Sequence, residues 1–125
     1  ALSSNHVTPK LDWVYDGEFT YDDGIAAMSY YEQHTDLTAA VASSDLAAIG
    51  MLNQAQKLGI RVPNDFAVIS IDGTFLCTIM RPQITSVTQS FREMGVKGVE
   101  TLLSQSIKQF KSLYTPIKIT ERQSS

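Results

Sequence analysis

Along this chain the hydrophobic pattern switches back and forth between strand-like runs and helix-like spacing. Residues 1–10 are polar and turn-like, the expected tail of a preceding element. Residues 11–15, rich in branched and aromatic side chains, predict a short strand broken by Asp16-Gly17-Glu18. A helix follows to about residue 34, capped by Thr20 or Asp22, with Asp22 and Asp23 suited to the positive end of its dipole. Ile25, Met28 and Ser29 outline its packed face, and Tyr30 and Tyr31 read as core or rim residues rather than an aromatic platform. Residues 37–42 predict the next strand. Ser43-Ser44-Asp45 closes it and opens a helix over 46–57, whose apolar positions are Leu46, Ile49, Leu52, Ala55 and Leu58, with Gly59 as its stop.

Beyond a turn at 62–65, residues 68–72 form a β-branched run that reads as a buried parallel strand ending at Asp72-Gly73. An irregular loop through Arg81-Pro82 leads to a short strand, 85–89. Phe91, Met94, Gly95, Val99, Leu102, Leu103, Ile107 and Phe110 then mark one face of a long helix over 91–110. Gly95 lies on that face, as a close-packing position or a weak point. A final strand-like stretch occupies 117–123.

Strands and helices alternate, which predicts an open, mostly parallel α/β sheet with flanking helices and right-handed crossovers. Ligands of such sheets bind beyond the carboxyl ends of the strands. Residues 16–19, Ser43–Asp45 and Asp72–Gly73 would meet there in one crevice. Asp72 alone could be a turn carboxylate capping its own backbone or a contact for a polar ligand. The meeting of three polar clusters favours the ligand.

Composition narrows the function. At 125 residues with 43% hydrophobic side chains, the chain suits one globular domain. Ten basic and thirteen acidic residues give a net charge of -3 without a basic run, so the chain carries no nucleic-acid footprint of its own. The lone Cys77 fits a small buried hydrophobe and a reducing compartment. No apolar run is long enough to span a membrane. The chain starts at Ala1 without a methionine or a clear element, and reads as a piece of a longer protein. Nucleophile-elbow, phosphate-loop and dinucleotide patterns are absent, and His6 and His34 lack partners at metal spacing. Neither an enzyme, a cofactor nor a metal is expected.

The stretch AVASSDLAAIGMLNQAQKLGIRVPNDFAVISIDG, followed by RPQITSVTQSFREMG, resembles the effector-binding domain of lac-repressor-family bacterial transcription regulators. The resemblance reaches back through DGEFTYDDGIAAM and forward through the last helix, so it covers nearly the whole chain. It implies a periplasmic-binding-protein-like fold of two α/β lobes with a small effector, a sugar or related metabolite, in the cleft. On that basis residues 1–125 are part of such a domain, with 11–88 mostly in the carboxyl-side lobe. The helix 91–110 would pack on an amino-side lobe outside this sequence, and 117–123 would be the returning strand. An effector-gripping arginine and the DNA-binding head would precede Ala1.

Residue by residue, the resemblance implies that Asp72 bonds effector hydroxyls and that Phe19 stacks on the sugar face. Ser44 stands where the family usually has asparagine, and Asp45 keeps the second member of that pair. Arg81 is a cleft-edge residue or a local ion-pair partner. Ile49 and Met80 match positions of a homodimer interface on the carboxyl-side lobe, although spacing alone makes Ile49 a core residue. The implied protein is a cytoplasmic repressor or activator whose effector allosterically controls operator binding. The rival is a solute-binding receptor of a sugar transport system, which shares the fold. A helix-turn-helix segment or a secretion signal upstream would separate the two. A third possibility is a regulator lobe that answers to a partner protein or a nucleobase.

Overall fold

Thr20 sets the start of the first helix. The computed structural model, which describes residues 3–34, 36–104 and 112–125, has the Thr20 hydroxyl accepting the Asp23 N–H at 3.1 Å at the head of α1 (Tyr21–Tyr31). Thr20, not Asp22, is therefore the cap. The helix stops at Glu32, short of residue 34, and the next two amides close turns onto Tyr30 and Tyr31. Strand β1 (Ala39–Val41) leads through Ser44 into α2 (Asp45–Leu58). The Ser44 Oγ accepts the Ala47 N–H at 3.0 Å, and Gly59 ends the helix at φ +74°. Then come β2 (Ala67–Asp72), a single turn α3 (Leu76–Ile79) within the expected irregular loop, β3 (Thr85–Gln89), α4 (Phe91–Leu103) and β4 (Ile117–Thr120). The rest of the helix expected to residue 110, with Ile107 and Phe110, lies outside the described residues.

The sheet order is β1-β2-β3-β4. The first three strands are parallel, and β4 pairs antiparallel with β3. Asp72 lies opposite Thr88, and Gln89 opposite Ile117, so the carboxyl ends of β2 and β3 finish together. After β4 the chain tucks under the other end of the sheet. Buried Ser124 accepts the Thr85 N–H at 2.8 Å, donates to the Val68 carbonyl at 2.5 Å, and receives the Val68 N–H on its own carbonyl at 2.8 Å.

The strand expected over residues 11–15 is not formed. Leu11–Trp13 makes a 3₁₀ turn in which the Trp13 and Val14 amides bond back to Lys10 and Leu11, each at 3.2 Å. The Tyr15 amide goes to the Tyr31 hydroxyl at 3.3 Å. With those donors occupied, the segment cannot ladder onto β1.

The core lies between α2 and the sheet and includes Met28, Ala48, Met51, Leu52, Ala55, Val68, Cys77 and Ile84. Cys77 is fully buried. The buried arc of α2 differs from the spacing-based one: Ala47, Ala48, Met51, Leu52 and Ala55 are inside, Leu46 and Leu58 are exposed, and Ile49 is half-buried. Small residues cause the rotation. Gly24 of α1 and Gly50 of α2 let the two helix backbones nearly touch, and a Cβ on either would fall about 2 Å from a backbone oxygen of the other helix. Helix α4 buries none of its residues, and Gly95 faces open space rather than a packing partner.

Candidate functional site

The loop before α1 and the ends of β1 and β2 converge at the start of α2, and side-chain hydrogen bonds tie them together. The Ser44 Oγ, while capping α2, donates to the Phe19 carbonyl at 3.0 Å. That bond fixes the loop before α1 against the head of α2, and Phe19 stays 68% exposed. Asp45, only 2% exposed, reaches the other way. One of its oxygens accepts from the Thr74 N–H at 2.6 Å and the Thr74 Oγ1 at 2.7 Å. Its second oxygen accepts from Ser70 at 2.5 Å and Ser86 at 3.1 Å. Burial works against ionisation of this carboxyl, but the donors from Ser70 and Thr74 outweigh it and hold the acid below the usual carboxylate range. The polar atoms of Ser44 and Asp45 are thus engaged inside the protein.

Asp72 ends β2 with φ +114°, a conformation that costs a non-glycine residue about 1–3 kcal/mol. Its Oδ1 accepts from the Gln89 side chain at 3.2 Å. Partial burial raises its carboxyl above the ordinary value, and the neighbouring Asp45 charge adds to this. A half-buried carboxylate at a strand end, with one side-chain partner, retains lone pairs for donors outside the protein. Phe19 offers an apolar ring and Asp72 an anionic acceptor, a combination suited to a polyhydroxylated molecule with an apolar face. Gln89, Thr74, Ser70 and Ser86 were not singled out from the sequence. Gln89 could have been, because it ends a strand parallel to the one that Asp72 ends.

Around this cluster the surface is shallow. A hollow of about 110 Å³ lies beside it, lined in part by Gly17, Glu18, Asp23 and Ser43. Another of about 310 Å³ runs from Gln89 to Glu93 and Lys118. The first is well below the roughly 300–1,000 Å³ of a pocket that encloses a small molecule. Among the described residues no group of His, Cys, Asp or Glu could hold a metal ion, and no helix is long and apolar enough to cross a membrane.

Arg81 stands apart from these residues. Its guanidinium donates to the Thr78 carbonyl at 3.1 Å and the Met80 carbonyl at 2.7 Å, and it borders a hollow with Leu52, Gln56 and Ile60 along the second half of α2. Its partners are local carbonyls rather than an ion-pair acid. Ile49 and Met80 are half-buried and pack on the edge of the core. Near them in the chain, Leu46, Phe75 and Ile79 are exposed.

The model of the periplasmic binding protein-like domain matches residues 1–125. Catabolite control protein A of Priestia megaterium is 35% identical over 103 residues, covering 82% of this chain and 31% of that protein. A transcription regulator from Lactobacillus plantarum superposes with a TM-score of 0.91 at 41% identity, over 99% of this chain and 49% of that one. A LacI family regulator from Weissella paramesenteroides with bound sucrose superposes with a TM-score of 0.88 at 25% identity, over 98% of this chain and 46% of that one. The chain spans about a third of the curated relative and about half of each solved chain. Both of these solved chains are transcription regulators. On the full-length family match and these similarities, the chain belongs to the periplasmic-binding-protein-like family, as a LacI/PurR-type effector-binding domain.

Proposed function

We propose that this chain is the effector-sensing part of a cytoplasmic DNA-binding transcription regulator, and that its effector is a sugar. The observation that carries this is Asp72, a partly buried carboxylate at the end of β2 with a single side-chain partner, whose turn is tied to the head of α2 as is the loop bearing the exposed Phe19. Sugar hydroxyls donate to such a carboxylate in charge-assisted hydrogen bonds, and the apolar face of the ring stacks on an aromatic. The sucrose-bound relative supports a sugar rather than another metabolite. Residues 11–88 contribute one wall of the effector cleft. Helix α4, amphipathic in sequence and without a buried residue, would serve the opposite lobe, and β4 is the returning strand. Ser44 supports the site by holding the Phe19 backbone.

The second part of the proposal is dimerisation through α2 and α3. Leu46, Phe75 and Ile79 expose apolar side chains beside half-buried Ile49 and Met80, and a two-fold pairing would cover them. Operator binding would then belong to a head outside this sequence, with effector binding shifting the disposition of the two heads.

Calorimetric titration of the intact protein with sucrose, glucose and cellobiose tests the sugar assignment. Saturable heat from at least one sugar is expected, and silence from all three together with heat from a purine would overturn it. Sedimentation of a Phe75→Asp, Ile79→Asp double variant tests the interface. A shift to monomer is expected, and an unchanged dimer would place the interface elsewhere.

A further inference from the structure

We infer that Asp45 is the positioning residue for Asp72: its carboxylate clamps the turn that presents Asp72, and the effector does not touch it. The inference rests on Asp72 being an effector contact and adds how that contact is held in place.

The turn cannot easily hold itself. Asp72 and Gly73 both have positive φ, at +114° and +72°, and the first carries a side chain that disfavours that region. Gly73 also presses on β3, where a Cβ would come within 2.5 Å of the Thr88 Oγ1 and 2.7 Å of its Cα. Such a turn persists only where its surroundings fix it. The fixing contact is made by Asp45 at Thr74, two residues beyond the strained Asp72. One carboxylate oxygen takes both the backbone N–H and the hydroxyl of Thr74. The other takes hydroxyls from Ser70 on β2 and Ser86 on β3, so α2, both strands and the turn are joined at one buried group.

Two further facts separate clamping from ligand contact. Capping of α2 is done by Ser44, so the Asp45 side chain is free of that duty. With four donors and 2% exposure, the carboxylate has no face left for a ligand hydroxyl. Its charge also raises the proton affinity of Asp72, so the clamp influences the ionisation of the acid as well as its location.

Asparagine and alanine at position 45 should behave differently. An asparagine oxygen can still face the Thr74 N–H while its NH₂ group meets serine hydroxyls, which can rotate to accept. Alanine removes every tether. Hydrogen exchange read by mass spectrometry on the intact protein tests this without a ligand. In Asp45→Ala the peptide covering residues 73–77 should exchange about tenfold faster or more, the loss of one charge-assisted hydrogen bond, with peptides from α1 and β4 unchanged. Asp45→Asn should stay near the parent. Thr74→Val, which keeps the buried charge and loses the hydroxyl tether, should accelerate the same peptide and covers the case in which Asp45→Ala does not fold. Unchanged exchange at 73–77 in these variants, or a rise spread over the whole chain, would overturn the clamp.

Sucrose titration of the same variants provides the second readout. Asp45→Ala combined with Asp72→Ala should bind no more weakly than Asp72→Ala alone, because Asp45 acts through Asp72. Additive losses would show an independent contact and would also overturn the inference. If the parent gives no heat with sucrose, glucose or cellobiose while the exchange pattern appears, the effector role of Asp72 fails and the clamp on its turn stands.

Discussion

Gly50→Ala is expected to destabilise the protein although alanine is the better helix former. At the crossing of α1 and α2 a Cβ on Gly50 would lie 2.1 Å from the Tyr21 carbonyl oxygen and 3.0 Å from the Ile25 nitrogen. Cβ atoms essentially never approach another atom within 3.0 Å, and these neighbours are helix backbone that cannot rotate away. The helices must therefore part by about 1 Å, which opens the interface that buries Ala27, Met28, Ala47 and Met51. Overpacking of this kind costs about 1–3 kcal/mol, and contact with rigid backbone places it at the upper end. The intrinsic helix gain of about 1 kcal/mol offsets part of this, leaving a net loss of about 1–2 kcal/mol. Urea unfolding followed by far-UV circular dichroism should show a lower midpoint with an unchanged slope. The matched control is Gly95→Ala, where an added Cβ meets nothing within 4 Å, so about 0.5–1 kcal/mol of stabilisation is expected. If both variants are stabilised equally, the close crossing of α1 and α2 does not exist.

Two further outcomes follow from buried polar groups. The folded-state carboxyl of Asp72 is raised, first by burial and then by Asp45, so its charged form opposes folding. That penalty is absent below the ordinary carboxylate value of about 3.9 and complete only above the raised folded value. Asp72→Asn should therefore raise the Tm at pH 7 and leave it unchanged near pH 3; a lower Tm at pH 7 would contradict the burial argument. Ser124→Ala removes the acceptor of the Thr85 N–H and the donor to the Val68 carbonyl in a fully buried place, so a loss of about 1–3 kcal/mol is expected by urea unfolding, and a neutral result would detach the carboxyl-terminal segment from the sheet.

The alternation of elements was legible because strands β2 and β3 and helix α2 carry strong period and punctuation signals. Ser44, Gly59 and the β-branched run before Asp72 each declare a boundary by chemistry that acts within a few residues. What failed was set by backbone bonds and close packing that the hydrophobic pattern does not record. Residues 11–15 have strand composition, but amide bonds to Lys10, Leu11 and Tyr31 draw the segment into a turn and away from β1. The inner face of α2 was misplaced because hydrophobicity favours Leu46 and Ile49, whereas the close approach of α1 favours alanine and glycine. At the candidate site, strand-end logic and the resemblance both pointed to Asp72, and the resemblance to Phe19. The engagement of Ser44 and Asp45 with Phe19 and Thr74 could not, since a polar residue at a strand end looks the same whether its partner is a ligand or the protein. For Arg81 the structure gives backbone acceptors, the Thr78 and Met80 carbonyls, and such partners leave no mark in a sequence.

The central claim is that Asp72 bonds the effector, and the most direct test is the dissociation constant of the best-binding sugar for the intact protein with and without Asp72→Ala. Each charge-assisted hydrogen bond contributes about 1.5–3 kcal/mol, so the account predicts affinity about 10-fold to 100-fold weaker for the variant at pH 7. It also predicts that the parent loses affinity on acidification at a pH above that of an ordinary aspartate titration, in keeping with the raised carboxyl. An unchanged dissociation constant for Asp72→Ala would contradict the account.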